Sequence, residues 1–355
     1  MPLAWLQAVQ EDQPFVQVSI KEGIRRQMRE TLLEMWKFHG WALLAGCIAD
    51  WILGDPRHFP HPVRLMGSMI AYLEGVVRTR LKGRERLGGC ILVLTMCLVW
   101  TVIPFLLFKG IRCLEGGSPG KLLFLAETFV CYQLLAAKDL CAESMKVLRS
   151  LKNEGLAEAR RAVSMIVGRD TAVLDEAGVA RAAVETVAEN ASDGVIAPFF
   201  YMALFGPVGG CIYKAVNTMD SMVGYTNEKY RELGWAAAKL DDAVNLIPAR
   251  LTGLLLVLAA WIAPWADGRR AWTIFLRDRR NHKSPNSAHG EAACAGALGL
   301  RLAGDAWYFG ELHKKPFIGD DIRPVEPEDI RRANCLMFLA QAMLMLLIAC
   351  LLLLA

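Results

Sequence analysis

The chain lacks the signatures that usually announce a nucleotide or metal site. It has no Gly-x-Gly-x-x-Gly fingerprint. Its nearest approach to a phosphate-binding loop, EGGSPG at residues 115–120, fails: too few residues separate Gly116 from Gly120, and Leu122 stands where Ser or Thr is needed. That segment is read as a turn. The ten cysteines form no Cys-x-x-Cys pair and no Cys/His ligand spacing, which leaves structural zinc and a disulfide framework without support. Cys90, Cys97, Cys211 and Cys350 lie in apolar runs and read as small buried hydrophobes. Alternating β-branched runs are nearly absent, which argues against a sheet architecture. An excess of one charge sign is missing too: the net charge is only +4. The basic clusters have no interleaved aromatics and no reader motif, so nucleic acid is excluded as a partner.

Apolar sequence is abundant. Hydrophobic residues make up 54% of the 355 and mean hydropathy is +0.29, above the roughly 45–50% apolar content of soluble domains. Residues 88–108 and 333–355 carry no charge, and each is long enough to cross a hydrocarbon core. Residues 194–213 are also uncharged but are broken by Pro198, Gly206, Pro207, Gly209 and Gly210. Residues 251–266 are shorter; 122–137 carry Glu127 and 40–54 carry Asp50. These runs predict an all-α, polytopic membrane protein with a polar helical layer. Basic residues concentrate at 78–86, 269–283 and 331–332, the pattern of cytoplasmic loops. The FGPVGG break inside 194–213 predicts a re-entrant helical hairpin, since broken backbone is tolerated at membrane depth where it lines a protein cavity. Residues 1–38 read as an amphipathic extension: Val16, Ile20, Ile24, Met28, Leu32 and Met35 recur at helical spacing among Lys21, Arg25, Arg26 and Arg29. An ordinary packed surface helix fits the same pattern. The integral-membrane unit then spans 39–355.

Between residues 164 and 252 the chain gathers charge that a bilayer tolerates only where it has partners or a function. On a helix from Val179, Arg181, Glu185 and Glu189 share one face, where the two glutamates repel unless a cation joins them. Asn190, Ser192 and Asp193 form the exit of that helix. Lys214, Asn217 and Ser221 share a second face, with Asp220 beside them. Asp241 and Asp242 follow, with Asn245 one turn on, a set of hard oxygen ligands suited to Mg²⁺. Arg169, Asp170 and Thr171 are read at a helix start, where Asp or Thr caps and free N–H groups favour phosphate. Arg250 stands at a membrane edge. Asp55, His58, His61 and Arg64 are further candidates to complete the cavity, and His282, Ser284, Asn286 and Glu291 form a polar loop before the small-residue helix AACAGALGL. Read together, these residues describe a site for anions and a divalent cation.

Six stretches in this order resemble the adenosylcobinamide-phosphate synthase (CobD/CbiB) family of cobalamin biosynthesis: GDPRHFPHPVRLMG (54–67), SMIVGRDT (164–171), VARAAVETVAENASDGVIAPFFY (179–201), YKAVNTMDSMVGYTNEKY (213–230), AAAKLDDAVNLIPARLT (236–252) and HKSPNSAHGEAACAGALGLRL (282–302). The resemblance covers residues 42–340. It implies an integral inner-membrane enzyme, its active region facing the cytoplasm, that joins adenosylcobyric acid to (R)-1-aminopropan-2-ol or its O-phosphate as an amide, using ATP and Mg²⁺. Membrane lipid and other enzymes of the pathway are the implied partners. An acyl phosphate would supply the leaving group that a bare carboxylate lacks. On this reading Asp241 and Asp242 hold Mg²⁺, with Asp220 or Glu189 as a further ligand. Glu185, Glu189, Asp193 and Asp220 are the candidate catalytic carboxylates, with Glu185 or Glu189 taking the amine proton. Arg169, Arg181, Asn190, Lys214, Asn217, Ser221, Arg250 and Asn286 are the candidate substrate and phosphate contacts. A prenyltransferase acting on a diphosphate is the rival enzyme, although the contiguous aspartate pair meets its spaced acidic repeats poorly. A membrane binding or transport protein is the non-catalytic alternative.

Overall fold

Helical periodicity carries through to helices along nearly the whole chain. The computed structural model describes residues 13–55, 61–225, 227–308 and 310–355. Helix α1 (Gln13–Leu53) runs unbroken through residue 38, so the basic-apolar lead and the apolar 40–54 segment are one helix. Met28 and Leu32 on it are exposed. His58 lies outside the described residues, as do the side chains of Val16, Ile20, Lys21, Ile24 and Arg26. Helix α2 (Pro62–Arg80) opens with proline, whose missing N–H would be unpaired there anyway, and His61 Nδ1 accepts from Val63 N at 3.2 Å as its cap. After α3 (Glu85–Leu114) the 115–120 segment is a turn. Its Glu115 carboxylate accepts from the backbone N–H groups of Gly120, Leu122 and Leu123 and so starts α4 (Lys121–Leu134). Helices α5 (Ala137–Asn153) and α6 (Leu156–Ser164) are amphipathic, and α7 (Glu176–Asn190) is buried over most of its length.

From α7 the chain passes through a π-helical stretch, Ala191–Ile196, into α8 (Ala197–Val223). The wider turn frees the carbonyl of Gly194 to accept from Ala136 N at 3.1 Å, docking the α4–α5 junction onto this stretch. Inside α8 the backbone breaks at Gly206, with φ 66° and ψ −169°. Only glycine adopts that region readily, and Pro207 follows it. Residues beyond the break pack back on those before it. The rings of Tyr201 and Tyr213 stack at 5.3 Å, and a Cβ on Gly209 would lie 2.6 Å from the Tyr201 carbonyl oxygen. Tyr201 Oη donates to Val244 O at 2.8 Å, tying the broken helix to α9 (Trp235–Val244) and α10 (Leu246–Ile262).

Among the described residues three helices are long and apolar enough to cross a membrane: α3, the continuous run Glu176–Val223, and the last helix, Glu328–Leu354. The α9–α10 pair, bent by 48°, makes a fourth if it is one span. Only 22% of the most apolar window of α3 is buried, against 67% for Glu176–Val223. The broken, charge-flanked helix is therefore central, and α3 turns Leu94, Leu98, Ile103 and Phe105 outward. Such a surface suits lipid and would be an aggregation liability in water.

Helices α11 (Gly268–Asp278) and α12 (Ala288–Leu298) precede a short strand region. Every residue of α12 is buried, and a Cβ on Gly290 would stand 2.3 Å from the Ala188 carbonyl oxygen. Within AACAGALGL, a Cβ on Gly296 would stand 2.7 Å from the Arg270 carbonyl oxygen, so the small residues expected to pack closely do so against α11. Strands β1 (Leu302–Ala303) and β4 (Phe317–Ile318) pair antiparallel, as do β2 (Ala306–Tyr308) and β3 (Glu311–His313). These pieces are too short to carry a period, so no alternation in the residue pattern announces them. Helix α13 (Glu328–Leu354) closes the chain, its first turn held by Asp329, whose buried carboxylate accepts from Arg323 and Arg332.

Candidate functional site

Two adjoining polar cavities lie where α7, the π stretch, α8 and α9 meet the loop before α12. The smaller, about 270 Å³, is lined by Arg169, Glu185, Thr186, Glu189, Asn190, His282, Glu291, Tyr308 and Lys315, among others. The larger, about 500 Å³, carries Glu189, Asp193, Asp220, Asp241 and Asp242, with Arg231, Lys239, Lys283, Trp235 and Asn286 at its walls. Glu189 and His282 line both.

Asp175 starts α7 by accepting from Gly178 N at 2.7 Å. The cap is therefore Asp175, correcting the helix start expected at Arg169–Thr171. Asp170 is used differently. Its N donates to Trp307 O at 2.9 Å, and its Oδ2 accepts from Gly310 N at 2.8 Å. It clamps the β2–β3 hairpin over the smaller cavity. Arg169 pairs with Glu185, and the other Glu185 oxygen accepts from Ala303 N at 2.7 Å. The cation that the two α7 glutamates require is thus Arg169, and it serves Glu185 alone. Glu189 has no hydrogen bond or ion pair to any described residue and faces both cavities. Arg181 lines neither; its Nε is buried without a partner. Glu291, 6% exposed, leaves Oε2 unpartnered in the smaller cavity. Burial, and then the charges of Glu189 and Glu185, push its carboxyl well above the usual range. Burial likewise pulls His282 below an ordinary imidazole value, against the opposing pull of Glu189.

In the larger cavity Tyr213 Oη donates to Asn245 Oδ1 at 2.9 Å, and Asn245 Nδ2 donates to Asp241 Oδ2 at 3.0 Å. That chain aims Asp241 while leaving its Oδ1 buried and unpartnered. Asn217 faces Asp241 from α8. A Cβ on Gly234 would meet the Val223 carbonyl oxygen at 1.7 Å, so glycine alone lets α9 start this close to α8. Among the described residues no three His, Cys, Asp or Glu side chains form a ready metal cage. Mg²⁺ does not require one, since it commonly takes one or two carboxylates and completes its shell with substrate phosphate and water. The unpartnered Asp241 oxygen beside Asp242 and Asp220 fits that habit.

Other expected contacts stand elsewhere. Lys214 is buried and lines neither cavity; its Nζ is 3.4 Å from the Asp193 carbonyl oxygen, where it bridges back across the break in α8. Ser221 is exposed and donates to Asn217 O. Arg250 Nη1 lies 3.5 Å from Asn286 Oδ1, and Asn286 Nδ2 donates to Asp242 O at 2.8 Å, so Arg250 supports the wall from behind. Asp55 Oδ2 stands 3.4 Å from His61 Nε2, and that pair lines neither cavity. Tyr308 and Lys315 are absent from the residues expected from sequence, because their strand region carries no periodic signal.

Fold and site define a helical membrane protein with charged residues gathered into two joined cavities beside a broken central helix. The CobD/Cbib protein family profile matches residues 43–337. A cobalamin biosynthesis protein CobD from Geobacter metallireducens is 48% identical over 313 residues, covering 87% of this chain and 96% of that protein. CobD of Listeria monocytogenes serovar 1/2a is 44% identical over 304 residues (85% and 95%), and the cobalamin biosynthesis protein CbiB of Salmonella typhi 44% over 307 residues (85% and 94%). This chain belongs to the CobD/CbiB family. No solved structure matches it.

Proposed function

We propose that this protein is the adenosylcobinamide-phosphate synthase of cobalamin biosynthesis, forming an amide between adenosylcobyric acid and (R)-1-aminopropan-2-ol or its O-phosphate with ATP and Mg²⁺. One observation carries the site assignment: Asp220, Asp241 and Asp242 converge with Arg231, Lys239 and Lys283 in a single cavity. Carboxylates for a divalent cation beside cations for phosphate are what a magnesium–nucleotide complex needs. At about 500 Å³ the cavity falls within the usual range for small-molecule sites.

Asp241 and Asp242 would hold Mg²⁺, with Asp220 nearby, while Lys239, Lys283 and Arg231 neutralise phosphate. Bound there, the nucleotide supplies a phosphoryl group that turns the corrinoid carboxylate into an acyl phosphate. Glu189 stands open at the boundary of the cavities and takes the proton released as the amine forms the C–N bond and phosphate leaves. Glu185 has no free oxygen for that role, since Arg169 and Ala303 N occupy both. Lys214 would position the Asp193 turn rather than touch phosphate. The break at Gly206, with the stacked tyrosines behind it, supports a re-entrant hairpin whose two polar flanks face the same side, and the basic 269–283 segment supports the cytoplasmic face of a cell inner membrane as that side.

Purified protein in detergent, given adenosylcobyric acid, the amine or its phosphate, and Mg-ATP, yields the amide on this reading. A folded protein that binds these substrates and makes no amide overturns it in favour of a binding role.

A further inference from the structure

The smaller cavity has a different character from its neighbour. At about 270 Å³ it is about half the size of its neighbour and suits a short ligand. Its polar groups divide by sign. Glu189 and the unpartnered Glu291 Oε2 supply acceptors. Lys315 lines the same cavity; its Nζ bonds Tyr308 Oη at 2.7 Å and lies 4.8 Å from the centre of its ring. No described carboxylate lies within ion-pair distance of Lys315, whereas Arg169 is already neutralised by Glu185. A buried polar atom without a partner is destabilising until something fills the gap.

We infer that this cavity is the amine subsite, taking a short aminoalkyl phosphate with its ammonium on Glu189 and Glu291 and its phosphate on Lys315 and Tyr308. The inference rests on the proposed amide synthesis and adds to it the substrate's place and charge. With Arg169 paired to Glu185, the cavity offers the ammonium of Lys315 together with the carboxyls of Glu189 and Glu291, groups that complement a ligand carrying both signs. The shared Glu189 then puts the bound nitrogen at the boundary with the larger cavity.

The test is a set of Michaelis constants on full-length protein, with Lys315→Met, Tyr308→Phe and Glu291→Gln compared by melting temperature to exclude misfolding. Losing one charge-assisted contact removes roughly tenfold or more in affinity. Lys315→Met is expected to raise KM for 1-aminopropan-2-ol O-phosphate by about that factor and to leave KM for the unphosphorylated amine and for Mg-ATP unchanged. Tyr308→Phe, which removes only a hydroxyl, shifts the same constant less. Glu291→Gln raises KM for both amines. Equal effects of Lys315→Met on both amines, or an effect on Mg-ATP alone, overturn the subsite. Calorimetric titration of aminopropanol phosphate separates the two ideas. Binding that Lys315→Met weakens, in a protein that forms no amide, keeps the subsite and removes the synthase. Amide formation with an unaltered amine KM does the reverse.

Discussion

The two cavities share a wall and differ in almost everything else. The larger gathers Asp193, Asp220, Asp241 and Asp242 beside Lys239, which pairs with Asp242, and leaves one Asp241 oxygen unpartnered. The smaller pairs Arg169 with Glu185 and leaves Lys315 and Glu189 without an ion-pair partner among the described residues. On the proposed reading, the unpartnered Asp241 oxygen is where the larger cavity takes its divalent cation. On the same reading the smaller takes a ligand that carries both signs. Glu189, unpaired and facing both, is where the two chemistries meet.

Substitutions at the larger cavity should have the largest effect. Asp241→Asn removes a charge whose orientation Asn245 and Tyr213 maintain. Amide formation is expected to fall by roughly 10³-fold, partly recovered by raising Mg²⁺; normal turnover across a Mg²⁺ titration would remove the metal role. Glu189→Gln comes next. Loss of a general base lowers kcat by roughly 10²-fold or more, and a change confined to KM would make Glu189 a binding residue only.

Arg169→Leu separates structure from chemistry. It leaves Glu185, nearly buried, without its cation, and removal of one partner of such a pair costs about 3–5 kcal/mol. Chemical denaturation in detergent should show that loss. Unchanged stability with weakened substrate binding would return Arg169 to the phosphate-contact role expected from the sequence. Gly206→Ala has the smallest effect of these, about 1–3 kcal/mol, because it forces a side chain into a backbone region that glycine alone adopts readily. A neutral result would mean that the break in α8 is not set by this residue.

Much of the fold is legible in the sequence where the signal is local and periodic. The charge-free runs at 88–108 and 333–355 fall in α3 and α13, the Gly-Pro centre of 194–213 holds the break at Gly206, and AACAGALGL begins in the buried helix α12 and packs closely on α11 at Gly296. Asp220, Asp241 and Asp242 belong to one polar interval of the sequence and do line one cavity. What escapes depends on partners distant in the chain. The resemblance leaves Glu185 and Glu189 as alternative bases, yet Ala303, more than a hundred residues on, takes one of the Glu185 oxygens. Lys214 reads as a phosphate contact, yet burial and the Asp193 carbonyl hold it inside. Asp170 reads as a helix cap and instead fastens a hairpin by Gly310. Lys315 and Tyr308 sit on or beside strands of two or three residues, too short for any alternation to register.

The division of labour between the cavities is tested most directly by two variants side by side, Asp242→Asn and Lys315→Met, each assayed for KM of Mg-ATP and of aminopropanol phosphate. Asp242→Asn is expected to raise the first constant and spare the second, and Lys315→Met to do the opposite. Both constants rising together in either variant would contradict that division, because the two cavities would then act as one undivided site.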